Sequence, residues 1–457
     1  MDIREAKEYL EENQIDNVRL VVTDLNGMPR GKRVLTSKFF AICEHGAALS
    51  KGLYNLTLNS ELIPELPAVG FSTGFQDVVV WPDLSTLKIL PWDEKSAWVI
   101  CDVRDYDGSE IHIDPRNLLK KQCSKLEKKN IFVKAGLEYE FYVFRETQAS
   151  LRAKNWNSKA FETYFLDYGL YDQSRIGIAG DFMRPIWQLL NQVEVPVDSM
   201  QVELGPGMFE FPIKETNALM AADRAVLFKV AVKEICHRHG LLATFMAKVS
   251  PDYEGLSGAV HHSLVDKQGY NLFHDPIQPN QLSEVFGQWI EGLLQNLRDL
   301  TLIFLPTYNS YKRPLPGSFV GNSTTWGLQT RATTFRVINN DPKATRIENR
   351  LAGSDANPYL VLAAHLSAGG FGLENKLQAR PAFIGGDPAQ DDKGRNDVEL
   401  IPQTLEEAIV RFESSERMKE FFGPAFCQTF LVHKQYELNH FQTNVSDLER
   451  SRYLEYA

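Results

Sequence analysis

The run GLEYEF, Gly136 to Phe141, constrains this chain more than any other stretch, because it sets Glu138 and Glu140 two residues apart inside an otherwise strand-like segment. Successive strand side chains alternate faces, so both carboxylates leave the sheet on the same side. A strand does not bury two like charges unless a cation offsets the desolvation and repulsion, and hard divalent ions take oxygen ligands of this kind. A lone pair of this sort fits a wet strand face equally well.

A second segment shifts that balance. QVELGPGMFEF, Gln201 to Phe211, holds Glu203 and Glu210 on either side of Gly205, Pro206 and Gly207. Gly-Pro-Gly between two apolar-patterned flanks predicts a tight turn that folds them back and brings both acids to one end of a sheet. Glu348, in RIENRLAGSDANPY, adds a fifth acid in an arginine-rich setting. Five glutamates in three such segments point to a site for more than one metal ion.

The 457 residues are enough for two or three domains with ample core. The net charge of -10 and the lack of a Lys/Arg block argue against nucleic acid or an anionic membrane as partner. Cys43, Cys101, Cys123, Cys236 and Cys427 are scattered and never form a CxxC pair, which fits reduced thiols rather than a disulfide framework or zinc site. The N-terminus lacks the order of a secretion signal and no apolar run reaches membrane-spanning length, so a cytoplasmic location is expected.

In order along the chain, Val18 to Thr36 predicts a hairpin with its turn at Asn26-Gly27. DVVVWPD and SAWVICDV predict further strands, and the polar stretch Asp105 to Asn117 marks a domain boundary. Helices are expected over Asn117 to Lys129, Phe182 to Val193 and Ala218 to Gly240. LLATFMAKV and SGAVHHSLVD are expected to be strands, and the chain from Leu282 onward mainly helical. The class is α+β, with a small strand-rich domain over residues 1–112 and a large one over 113–457.

Several pieces in fixed order, VVTDLNGMPRGKR, GLEYEF, VELGPGMFEF, HRHGLLATFMAKV, NSYKRPLPGS, RATTFRV and RIENRLAGSDANPYL, make the chain resemble the glutamine synthetase family from Val18 to about Leu373. The resemblance implies a β-grasp-like N-terminal domain before a catalytic domain with a curved antiparallel sheet. It also implies an ATP-dependent reaction in which the γ-carboxylate of glutamate is phosphorylated and then attacked by an amine. By the same resemblance Glu140, Glu203 and Glu210 hold one Mg2+ (or Mn2+) and Glu138 and Glu348 a second. Gly255, Arg313 and Arg350 bind glutamate, and Arg331 and Arg336 face the ATP phosphates, where cationic groups meet developing charge. The assembly it implies is a dodecamer of two hexameric rings, with each active site shared between neighbouring subunits.

Departures from the family pattern carry the most information. GLSGAVH, Gly255 to His261, puts Ala259 where the family has a metal-binding histidine. His261 then matches a histidine facing the ATP phosphates, or with a one-residue slip becomes the metal ligand; His261 and His262 are adjacent, so on a strand only one faces inward.

At the amine site PGSFVG puts Phe319 in place of the flap glutamate of ammonia-using members, and Thr57 stands where the neighbouring subunit's aspartate is expected. A lost carboxylate about 4 Å from an ammonium forfeits roughly 4 kcal/mol at an effective dielectric near 20. An apolar wall of Phe319, with Trp326 close in sequence, returns roughly 0.8 kcal/mol per buried methylene of a larger amine. The chain thus looks closer to the glutamate–amine ligases of the family, such as γ-glutamylpolyamine synthetases, which implies a primary amine or a polyamine such as putrescine as acceptor and leaves a monoamine or an amino alcohol open. The alternatives are an ordinary ammonia-using enzyme and a catalytically inactive relative. Val398 replaces a tyrosine that some members adenylylate, so regulation by that route is not expected.

Overall fold

The computed structural model describes the chain apart from residues 65, 316, 387, 389–397 and 457. Apolar alternation builds two sheets. In the first, the order is Pro29–Leu35, Asn17–Thr23, Ser96–Arg104, Asp77–Pro82, Ala47–Ser50, with Lys88–Ile89 added against Ser96–Arg104. Asn17–Thr23 runs antiparallel to Pro29–Leu35, pairing Val18 with Val34, and parallel to Ser96–Arg104. The expected hairpin thus forms. Its turn needs Gly27, whose φ is 79°, and the Asp24 side chain accepts from the backbone N–H groups of Asn26 and Met28.

The helix expected at the boundary covers Pro115–Glu127, starting two residues early because Asp114 caps it and Pro115 takes the first helical position. A second sheet of nine strands follows, in the order Trp326–Leu328, Phe335–Ile338, Arg346–Asn349, Gly258–Val265, Phe132–Phe144, Met208–Pro212, Gln201–Val202, with Thr216–Asn217 and Leu242–Thr244 also pairing with Phe132–Phe144. Its pairs are antiparallel except the one between Trp326–Leu328 and Phe335–Ile338.

One face of this sheet is apolar. Tyr139 and Phe141 pack on Phe228 of the Ala218–Arg238 helix and on Phe245, Phe211 packs on Phe228 and Phe141, and Phe209 packs on Phe141 and Phe182. That helix ends near Gly240, as its sequence predicts, with Gly240 at φ 69°. The remaining helices, chiefly Glu284–Phe304, Pro358–Glu374 and Pro424–Thr443, complete the core.

One expectation needs correction. LLATFMAKV holds only a three-residue strand, Leu242–Thr244, because the chain then leaves the sheet to carry Phe245 into the aromatic core. The region after Leu282 is mainly helical, as expected, and its Trp326–Asn349 stretch also supplies three short strands. Those segments are too brief for periodicity to announce them.

The first sheet and the helices of the second are clasped together by buried charge. The Arg116 guanidinium bonds Asp83 at 2.7 Å, Asp102, and Asp223 at 2.8 Å, and Tyr359 Oη donates to Asp223 at 2.6 Å. Asn357 Nδ2 donates to the Asp24 carbonyl at 3.0 Å, and His433 Nε2 meets the Tyr54 carbonyl at 2.7 Å. Among the described residues no helix is long and apolar enough to cross a membrane.

Candidate active site

Strand register places the acids. Glu140 pairs with Glu210, which pairs with Gln201; Glu138 pairs with Ala259; His261 pairs with Glu348, and Glu348 with Arg336. Directly paired residues share a face. The second sheet therefore carries one polar face, opposite the aromatic one, across the Gln201, Met208, Phe132, Gly258, Arg346 and Phe335 strands. Glu203 lies just past Val202, and its N–H donates to the Met208 carbonyl at 2.9 Å across the Gly-Pro-Gly turn. The turn forms as expected, with Gly207 at φ 79°.

The side chains on this face are matched in pairs. Gln201 Nε2 donates to Glu203 at 2.6 Å and also to Glu210. Glu140 accepts from the Ser257 N–H, and its backbone carbonyl accepts from Ser354 Oγ at 2.7 Å. His261 Nε2 lies 3.3 Å from Glu138, and Arg346 Nε points at His261 Nδ1 at 3.3 Å. Glu348 sits between Arg336, at 2.9 Å, and Arg350.

Crowding sets the protonation. Burial raises the Glu140 carboxyl, and the Glu203 charge raises it further. Burial also raises Glu203. Burial and the neighbouring Glu138 charge drive the Glu210 carboxyl far upward. For Glu138 and Glu348 burial pushes the same way but is outweighed, by the His261 bond at Glu138 and by His261, Arg350 and Arg336 at Glu348; both carboxyls sit below the usual range. Carboxylates this close cannot all ionise without added positive charge.

Among the described residues no three of these groups stand close enough to hold a metal ion as the side chains lie. The Gln201 amide separates Glu203 from Glu210, and two arginines engage Glu348. The backbone fixes the shared face. The donor set itself, hard carboxylate oxygens crowded together at Glu140, Glu203 and Glu210, fits magnesium or manganese.

The arginines divide by environment. Arg313 is buried, and its Nη1 donates to the Leu351 carbonyl at 2.6 Å. Nη2 serves Ser257 Oγ and the carbonyls of Arg350 and Ala352. It is therefore not an open fork; only its buried Nε lacks a partner. Burial lowers its pKa to about 10. Arg350 spans the site, bonding Glu348 and giving Nε and Nη2 to the Phe319 carbonyl at 3.3 and 3.0 Å. Arg331 is exposed, and its charge reaches Glu203.

Gly255 is held to Gly by space alone. A Cβ there would lie 2.5 Å from Arg313 Cγ and 3.1 Å from the Ala247 carbonyl. Gly255→Ala is expected to push Arg313 off its carbonyls and lower kcat/KM roughly tenfold, the effect of about 1–3 kcal/mol of overpacking; steady-state kinetics beside a melting curve would check it.

His262 lies on the aromatic side, as alternation requires. Its Nε2 accepts from Trp289 Nε1 at 2.9 Å and its ring stacks on His365 with centroids 4.9 Å apart. Trp326 is no part of an amine pocket: it is buried against Phe286, with its Nε1 on the Arg380 carbonyl at 2.9 Å. Thr57 does not reach this face either. It lines a cavity with Phe245 and Leu360 that none of the five glutamates touches. Val398 is described, but residues 389–397 immediately before it lie outside the described residues.

Two participants escape a reading of the sequence. Gln201 stands in the quoted QVELGPGMFEF segment, yet its role depends on which strand lies beside it. Arg346 precedes Glu348 by two, the same-face spacing that marks Glu138 and Glu140, so that signal was present.

The catalytic-domain model of glutamine synthetase matches residues 112–453. A glutamate–isopropylamine ligase from a Pseudomonas species is 35% identical over 99% of this chain and 98% of its own. A γ-glutamylethanolamide synthetase of Streptomyces coelicolor is 30% identical over 100% of this chain and 96% of its own. Among solved structures, a GmaS/ADP complex superposes with a TM-score of 0.85 at 26% identity, covering 98% of this chain and 99% of that one. With its acids on one sheet face and relatives matched from end to end, the chain belongs to the glutamine synthetase family and, within it, to the glutamate–amine ligase group.

Proposed function

We propose that the chain is an ATP-dependent ligase that joins the γ-carboxylate of glutamate to a small primary amine or polyamine rather than to ammonia, through a γ-glutamyl phosphate. The single observation that carries the choice of acceptor is Phe319. Arg350, which bonds Glu348, also holds the Phe319 backbone carbonyl, so the position sits at the rim of the acid face without a carboxylate to collect ammonium.

In this reading Glu140, Glu203 and Glu210 hold one magnesium ion and Glu138 and Glu348 another, with Ala259 leaving the second position short of a nitrogen donor. Bound magnesium neutralises nucleotide phosphate oxygens, which is what phosphoryl transfer demands. Arg336 and Arg331 offer positive charge beside the acids, where it steadies the transferred group. Arg350, whose guanidinium bonds Glu348 and the Phe319 carbonyl, brings the positive charge that meets a substrate carboxylate, and Arg313 positions it by bracing residues 350–352.

His261, facing Glu138 and backed by Arg346, belongs to the same face and is read as a phosphate-side or metal-side ligand. Residues 1–112 form the β-grasp-like domain and 113–457 the catalytic domain. Thr57 stands apart from its own chain's acids, which supports a ring in which a neighbouring subunit completes each site, in a homododecamer.

Phosphate release from ATP and glutamate, measured across isopropylamine, ethanolamine, putrescine and ammonium, tests the proposal. Release that rises with an organic amine and stays low with ammonium supports it; equal turnover with ammonium sinks it. Phe319→Glu is expected to improve kcat/KM for ammonium about tenfold. The full Coulomb effect of a carboxylate near an ammonium is larger, but Phe319 is 63% exposed and water screens a charge placed there.

A further inference from the structure

The cavity that Thr57 lines, of about 640 Å³, lies between the first sheet and the helices that cover the aromatic face of the second. One wall is the hairpin turn of Leu25 to Pro29 and the Thr57 loop. Another is the Ala218–Arg238 and Pro424–Thr443 helices. Most of its surface is apolar, with Val226, Phe245, Met246 and Phe441 among the lining residues, while Glu61, Glu234, Asp355 and Glu437 also line it.

Two of the lysines there differ in a telling way. Lys229 is satisfied: its ammonium donates to the carbonyls of Ser354 at 2.6 Å and Ala356 at 3.2 Å and lies over the Tyr139 ring at 4.4 Å. Lys434 is 1% exposed and lines the cavity, yet its ammonium makes no hydrogen bond to any described residue and rests only over the Phe430 ring, at 4.9 Å. The carboxylates of Glu437, Asp355 and Asp24 act on it only through space. A buried cation with open donors is costly to leave unpaired.

We infer that this cavity binds a small amphipathic carboxylate, its anionic head on Lys434 and its apolar body against Phe245, Met246 and Val226. The chemistry follows from the lining. The Lys434 ammonium has hydrogen-bond donors to offer an anionic head, and the Val226, Phe245 and Met246 surface beside it rewards hydrocarbon. A bare inorganic anion would leave that surface uncovered. The cavity touches none of the five glutamates of its own chain, and it does not depend on which amine the enzyme uses.

Calorimetric titration of the full-length protein with hexanoate, hexylammonium and hexanol tests it, and no turnover is needed, so failure here is separable from failure of the ligase reading. Saturable hexanoate binding is expected, with hexanol weaker and hexylammonium absent. Lys434→Met should weaken hexanoate roughly ten- to a hundredfold, the weight of one charge-assisted hydrogen bond. Met246→Trp, at a 45% exposed position on the apolar wall, should also weaken it by filling the cavity, and decides the matter if the lysine variant does not fold. No saturable hexanoate binding, equal affinity in a folded Lys434→Met protein, unaltered affinity in Met246→Trp, or hexylammonium binding as well as hexanoate would each overturn the assignment.

Discussion

Glu140→Ala is expected to lower kcat/KM for ligation about a thousandfold while the protein stays folded. Glu140 pairs across the strands with Glu210, and its carboxylate accepts from the Ser257 N–H at the centre of the acid face. In the proposed site it supplies one of three carboxylates to a metal ion. A carboxylate about 4 Å from a unit cation contributes roughly 4 kcal/mol at an effective dielectric near 20, which is about three powers of ten in rate.

Folding should be nearly indifferent, because the substitution also removes one of the mutually repelling carboxyls that raise each other's pKa. A melting curve close to that of the parent, beside single-turnover phosphate release, would check both halves. Full activity in the variant would remove Glu140 from the site.

Arg116→Met should produce the largest loss of stability, about 3–5 kcal/mol, the range found when one partner of a buried ion network is removed. Arg116 is 3% exposed and holds Asp83 and Asp102, from the N-terminal sheet domain, against Asp223 of the Ala218–Arg238 helix. Methionine fills much of the volume but leaves three carboxylates facing one another. The effect should fall toward the lower end, since Lys120 also pairs with Asp102, and Asp83 is 23% exposed and reachable by water.

Scanning calorimetry would register this as an earlier onset of unfolding. An unchanged profile would show that the clasp is dispensable. A chain built around two sheets need not unfold in one step, so the onset is the quantity to compare.

Much of the site was legible before any coordinates. The i, i+2 spacing of Glu138 and Glu140, the Gly-Pro-Gly turn and the ordered motifs named the acids and the family. Each is a local pattern, and strand alternation or turn chemistry translates it directly into geometry.

Partner choice was not legible. Gln201 bridges two acids because the Gln201–Val202 strand falls beside Met208–Pro212, and Arg346 meets His261 across 85 positions of sequence. Trp326 looked like a neighbour of Phe319 because seven positions separate them in the sequence, yet its indole is spent on the core.

The sequence by itself determined which residues share a strand face and which chemistry they bring: five glutamates, a phenylalanine where an acid was expected, and an alanine for a histidine. Tertiary structure alone decided how those groups pair, that Arg313 spends its terminal nitrogens chiefly on backbone carbonyls, that His262 turns into the aromatic side, and that an unpaired Lys434 faces a cavity behind the sheet. The reason is physical. Alternation acts over two residues, whereas hydrogen-bond partners and burial depend on strands and helices brought together from far along the chain.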